Sequence, residues 1–174
     1  MGIALADTAS RMGADVTLVL GPVNIKPQEK NITVVPVKTA AEMKAASLEA
    51  FALCDIAILA AAVADFTPET TSATKVKRGD SDLVIRLKPT EDIAASLGRI
   101  RKEGQFLAGF ALETDNEIAN ARGKMQRKNL DMIILNSLRD EGAGFGHDTN
   151  MITIIDRTDN IDKFELKSKD EVAS

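Results

Sequence analysis

Eight consecutive apolar residues, Ile56-Ala57-Ile58-Leu59-Ala60-Ala61-Ala62-Val63, limit the possible folds more than any other stretch of the chain. A run this short, bounded by turn residues, reads as a strand buried on both faces, the environment of a parallel sheet. Small residues at its carboxyl end leave room for a ligand. The run stops at Asp65-Phe66-Thr67-Pro68, because Pro68 has no amide hydrogen to give a central ladder. A Thr- and Ser-rich loop follows and delivers Lys75, Lys77 and Arg78 where a core has no use for charge. In open α/β sheets ligands sit beyond the carboxyl ends of the strands, so a carboxylate at a strand end followed by a basic loop points to a phosphate-bearing substrate. The same residues admit a plainer reading, in which Asp65 begins a turn and Lys75-Val76-Lys77-Arg78 is a solvated edge.

The elements before this run agree with a parallel sheet. Leu5, Thr8, Ala9 and Met12 share a helical stripe that Gly13 ends. Ala14 to Leu20 and Ile32 to Val37 are β-branched runs closed by turn residues, with Pro36 placing the second near an edge. Thr39 and Glu42 form a capping box for a helix carrying Met43, Ala46, Ala50 and Leu53 on one face. Strand, helix, strand in this order calls for a right-handed crossover. The fold class is therefore α/β, a three-layer sandwich with a mostly parallel, Rossmann-like sheet.

Beyond the basic loop, Leu83 to Leu87 reads as a short strand, and Thr90 as the cap of a helix that buries Ile93, Ala94, Leu97 and Ile100. The free amides at such a helix start suit a ligand oxygen or a base edge. Gln105 to Ala111 is another buried strand, and Phe110 at its carboxyl end either packs in the core or lies against a ligand base. A helix from Asn116 to about Asn129 places Lys124 and Lys128 four residues apart. Such a like-charge pair costs a few tenths of a kcal/mol in an isolated helix, unless something anionic lies between; the alternative is a solvated basic helix end. Leu130 to Asn136 is a further strand, and Met151 to Asp156 with Phe164 to Leu166 is a closing hairpin whose edge suits a dimer. Gly142-Ala143-Gly144-Phe145-Gly146 has no third glycine at the offset a dinucleotide fingerprint requires and precedes a strand instead of opening a helix.

Composition removes several classes. A net charge of −4 gives no global attraction to nucleic acid or to an anionic membrane, so phosphate recognition must be local. No apolar run approaches the ~20 residues of a membrane span, and the cytoplasm is the expected location. Cys54 and His147 are each the single residue of their type, which argues against a disulfide or a transition-metal site; Leu53 and Ile56 suggest a buried thiol. With 174 residues, a single domain is expected.

Five stretches, in order, resemble phosphopantothenate–cysteine ligases, the carboxy-terminal domain of the bifunctional coenzyme A biosynthesis flavoprotein. They are Ala60-Ala61-Ala62-Val63-Ala64-Asp65 with Thr74-Lys75-Val76-Lys77-Arg78, then Pro89-Thr90-Glu91-Asp92-Ile93, Gly109-Phe110-Ala111-Leu112-Glu113-Thr114, Lys124-x-x-x-Lys128-Asn129-Leu130-Asp131, and Gly144-Phe145-Gly146-His147-Asp148-Thr149-Asn150. Glu91 departs from the proline usual at its position. The resemblance implies that CTP activates the carboxylate of 4′-phosphopantothenate as an acyl-cytidylate with Mg²⁺, and that cysteine's amine then attacks, releasing CMP. It implies Lys75 as a catalytic cation and, with Lys124 and Lys128, as a triphosphate contact. Leu59, Ala60, Ala61, Glu91, Asp92, Ile93, Ala94 and Phe110 would hold the cytidine, and Asp65 the ribose or a metal-linked phosphate. Asp148 and Asn150 would be structural or rim residues. FMN is implied only for a fused decarboxylase domain. A homodimer with small-molecule substrates is expected, with no nucleic-acid or membrane partner. By the same resemblance, residues 1–174 form one nucleotide-binding ligase domain without its first strand, Gly-rich turn and last helix. That implies a neighbouring strand left unpaired and no completed ligation by this chain alone. The rival readings are a doubly wound oxidoreductase and a non-catalytic fragment that dimerises or binds nucleotide.

Overall fold

The computed structural model describes residues 1–78, 82–113, 115–137 and 149–174. Its centre is a five-stranded sheet in the order β10 (Ile161–Lys163), β9 (Ile152–Asp156), β7 (Met132–Ser137), β6 (Phe106–Glu113), β3 (Ile56–Leu59). Strands β3, β6 and β7 run parallel, with Leu59 beside Gly109 and Phe110 beside Ile134. β9 pairs antiparallel with β7, and β10 with β9, closing that edge as a hairpin. A second parallel pair, β1 (Val16–Leu20) with β2 (Ile32–Pro36), stands apart from the main sheet. Two short antiparallel pairs complete the strands: β4 (Phe66–Pro68) with β5 (Leu87–Pro89), and β8 (Thr149–Asn150) with β11 (Lys167–Ser168).

Helices cover both sheet faces, so the α/β three-layer reading holds. On one face lie α2 (Ala40–Phe51), α3 (Ile93–Ile100) and α4 (Glu117–Lys128), burying Phe51, Leu97, Ala121 and Met125 against Leu107, Ile133, Leu135 and Ile155. Residues two apart on a strand share a face, and the alternate set, Ala108, Ile134 and Ile152 with Phe110, forms the core of the opposite side. There α1 (Gly2–Arg11) packs against α5 (Lys169–Ala173).

Local signals set several helix ends. Thr39 accepts from the Glu42 amide while the Glu42 carboxylate accepts from the Thr39 amide, the expected capping box. Gly13, at φ +91°, adopts the left-handed conformation that stops α1. Asn129 does the same for α4 at φ +54°, and its side-chain amide donates to the Gly98 carbonyl at 2.8 Å. Gln105, which is buried, ties the end of α2 to the start of β6 by donating to the Phe51 and Cys54 carbonyls at 2.7 and 2.8 Å.

Several expectations need correction. β3 ends at Leu59, because β6 offers it a ladder over four residues only, and Ala60 to Val63 continue as irregular chain. Nor is β3 buried on both faces: Ile56 is 60% and Ile58 45% exposed, since among the described residues no strand pairs its outer edge. Leu83 to Arg86 are exposed irregular chain, and pairing starts at Leu87. Asp92, not Thr90, caps α3, accepting from the Ala95 amide at 3.0 Å; the Thr90 hydroxyl instead donates to the Ala64 carbonyl. The second hairpin strand is Ile161–Lys163 rather than Phe164 to Leu166. Leu53 is 90% exposed and Cys54 only half-buried, though burial still pushes the thiol pKa up and away from nucleophilic use. The readings of Gly142 to Gly146, His147 and Asp148 fall outside the described residues.

Candidate functional site

The carboxyl ends of β3, β6 and β7 point the same way, as parallel pairing requires, and α3 and α4 bring charged side chains to that end on one face. α3 begins with Asp92. Its carboxylate occupies the Ala95 amide and also meets the Lys128 ammonium at 3.1 Å. Burial pushes the Asp92 carboxyl upward, but the Ala95 amide and Lys128 outweigh it and leave the pKa below its ordinary 3.8. Lys124, one turn earlier on α4, reaches Glu113 at the last position of β6, 2.5 Å away. The two lysines thus face the sheet end, each held by a carboxylate from a different element. The close approach of α3 to α4 makes this possible: a Cβ on Gly98 would stand 2.0 Å from the Lys128 carbonyl oxygen.

The motif from Lys124 to Asp131 therefore divides in two. Its lysines project to the sheet end, whereas its Asn-Leu-Asp end is structural. Buried Asp131 accepts from the Leu107 amide at 2.7 Å and pairs with Arg101 at 2.8 Å and Arg157 at 2.9 Å. Arg157 also donates to the Leu130 carbonyl and to the Asn129 side chain. This network locks the amino ends of β6 and β7, so the motif anchors the helix that carries its own lysines.

The other predicted residues divide by position. Ala60 lies beside the start of α1, where a Cβ on Gly2 would stand 3.8 Å from its own Cβ; Leu59 is half-buried and Ala61 exposed. The Asp65 carbonyl accepts from the Thr90 amide, which brings the end of β3 and the approach to α3 together. Ile93 is buried in the core and Ala94 packs against it, leaving backbone as their free offering. Glu91 is exposed and pairs with Lys44 of α2. Lys75 is exposed in the chain between β4 and β5. Phe110 lies on the other sheet face from Asp92, Lys124 and Lys128, lining an apolar cavity of ≈ 230 Å³ with Leu5, Ile58, Ile134 and Val172. Arg122 turns away to a two-pronged pair with Asp159 at 2.6 and 2.8 Å.

Reading from sequence missed Glu113 and Asn120. Glu113 was visible inside Gly-Phe-Ala-Leu-Glu, but only strand parity shows that it shares a face with Leu107 and Ala111 and so meets α4. Asn120 donates to the Glu113 carboxylate at 3.3 Å and to the Asp115 carbonyl at 2.8 Å. Among the described residues, no three His, Cys, Asp or Glu side chains gather where they could hold a metal ion.

Comparison with known proteins places the whole chain in one context. Residues 1–174 match the model of the DNA/pantothenate metabolism flavoprotein C-terminal domain. A protein of an unknown prokaryotic organism, named cysteine/cysteine sulfinic acid decarboxylase, is 68% identical over 174 residues, 100% of this chain and 48% of that protein. The coenzyme A biosynthesis bifunctional protein CoaBC of Bacillus subtilis (strain 168) is 42% identical over 173 residues, 99% of this chain and 42% of the relative. The chain thus spans about half the length of these relatives. The crystal structure of the C-terminal domain of a coenzyme A biosynthesis bifunctional protein CoaBC superposes with a TM-score of 0.80 at 35% identity, covering 99% of this chain and 77% of that one.

Proposed function

The chain belongs to the DNA/pantothenate metabolism flavoprotein C-terminal domain family, and on that premise we propose that it serves coenzyme A biosynthesis as the nucleotide-using part of a phosphopantothenate–cysteine ligase. The relatives named CoaBC support the pathway. The observation that carries the nucleotide step is the meeting of Lys124, Lys128 and the capped start of α3 at the carboxyl end of the sheet.

In this reading the carboxylate oxygen of 4′-phosphopantothenate attacks the α-phosphorus of CTP. A carbon-bound oxygen gains a bond to phosphorus, the bond to the β-phosphate oxygen breaks, and pyrophosphate leaves. Cysteine's amine then attacks the acyl carbon, CMP departs with the electron pair, and the amine loses a proton. Negative charge gathers on the phosphates in the first step, and fixed cations with backbone amides are the means of stabilising it. Lys124 and Lys128 receive the phosphates, Lys75 comes in from its loop, and the start of α3 with Leu59, Ala60 and Ala61 offers backbone to the base. Asp65, whose carbonyl accepts from the Thr90 amide, contacts the ribose or a metal-linked phosphate. In this reading Mg²⁺ enters with the triphosphate as part of the substrate. Two copies of the chain act as a dimer.

Calorimetric titration with CTP, ATP and NAD tests this reading. CTP is expected to bind, and preference for NAD would replace the reading with a dinucleotide enzyme. The name of the 68%-identical relative favours a second reading, in which the chain is part of a protein that decarboxylates cysteine or its sulfinic acid. Carbon dioxide release from those two compounds, measured beside pyrophosphate release from CTP and phosphopantothenate, separates the two.

A further inference from the structure

We infer that Glu113 is a positioning residue which, from inside the fold, fixes the Lys124 ammonium where the anionic part of the substrate is received. The inference rests on the nucleotide reading above and deepens it.

The two lysine–carboxylate pairs of the site are unequal. Asp92 leaves 46% of its side chain exposed, so it can swing away from Lys128 when a phosphate arrives. The Glu113 side chain is 12% exposed, ends a strand, and shares its face with the core residues Leu107 and Ala111. It cannot follow Lys124 into solvent, so Lys124 must come to it. Among the described residues, Oε1 is buried and makes no well-aligned hydrogen bond, which leaves the ion pair at 2.5 Å as its partner, while Oε2 has the 3.3 Å contact from Asn120. A mostly buried carboxylate this sparsely bonded holds its one cation firmly, because releasing it would leave a desolvated charge. The ammonium has three N–H donors. Glu113 takes one, and the 36% exposure of the Lys124 side chain leaves the others open to an anion. An arriving phosphate therefore adds to the Glu113–Lys124 pair instead of breaking it. Two opposed effects follow: Glu113 orders Lys124, which favours the anion, and its own charge repels the anion.

A double-mutant cycle isolates the ordering. CTP affinity is measured by calorimetry, at low and high salt, for the wild type, Glu113→Gln, Lys124→Met and the double variant. With Lys124 present, Glu113→Gln should weaken binding by about tenfold, a coupling usual for residues in contact. With Lys124→Met, the same change should leave binding equal or tighter, because only the repulsion is removed. A merely structural Glu113 would give the same loss in both backgrounds, and that result overturns the inference while the nucleotide reading stands. No CTP binding by the wild type would overturn both. Should Glu113→Gln fail to fold, Glu113→Asp, which keeps the charge but withdraws it by one methylene, carries the same comparison, and equal effects in both backgrounds again overturn the proposal.

Discussion

A single α4 carries cations with different duties, and the carboxylates opposite them tell these apart. Lys124 and Lys128 meet Glu113 and Asp92 at the sheet end, while Arg122 meets Asp159 at the hairpin turn. We predict that Lys124→Ala and Lys128→Ala each weaken CTP binding more at low salt than at high salt. Arg122→Ala should leave binding unchanged and cost no more than about 1 kcal/mol of stability, the range of an exposed pair. Equal binding losses in all three variants would mean that general charge, not placement, attracts the nucleotide. Asp92 adds a pH prediction. Its folded carboxyl lies below the ordinary 3.8, so the folded state favours the ionised form. The associated stability is fully present above pH 3.8 and is lost as pH falls through the lower folded value. An NMR titration placing the Asp92 midpoint at or above 3.8 would remove this contribution, and Asp92→Asn should make acid unfolding less steep.

At the scale of elements, the contact of α3 with α4 decides whether the lysines and the start of α3 face one another. Gly98→Ala places a methyl where the Lys128 backbone stands. Backbone cannot step aside as a flexible side chain would, so the helices must part. We expect a loss of at least about 1–3 kcal/mol, the usual cost of overpacking, together with weaker CTP binding; an unchanged melt would show that the helices accommodate the methyl. This juxtaposition also marks what could be read in the chain and what could not. The Thr39–Glu42 capping box, the Gly13 stop and the extent of α4 were legible, because they depend on residues within a turn of each other. Four-residue spacing made Lys124 and Lys128 neighbours, but their counter-charges come from β6 and the start of α3, which only tertiary packing supplies. The length of β3 was misread because a strand extends as far as its partner allows, and an apolar run does not reveal its partner. Thr90 was misread as a cap because its hydroxyl found the Ala64 carbonyl across the β4–β5 pair.

At the scale of the whole molecule, the sheet is divided. Among the described residues, β6, β7 and β9 pair on both edges and bury Leu107, Ile133 and Ile155, whereas β1 and β2 pair only with each other, and β3 only with β6. Amide exchange follows the stability of each local unit, so protection should be graded along the molecule. Exchange measured by mass spectrometry or NMR should be slowest in β6 and β7, faster in β3, and fastest in β1 and β2. The candidate site straddles this gradient: Leu59 ends the weakly held β3 and Ala60 and Ala61 follow it, while Lys124 and Lys128 stand on α4 over the firm centre. A ligand bridging both parts stabilises the weaker one by mass action. Saturating CTP should therefore slow exchange in β3 and the first turn of α3, while the β9–β10 hairpin, on the far side of β7, stays as it was. Slowing confined to the hairpin would move the nucleotide away from the strand ends. Uniform slowing across every strand would show that the protein opens as one unit and that the divided sheet has no energetic counterpart.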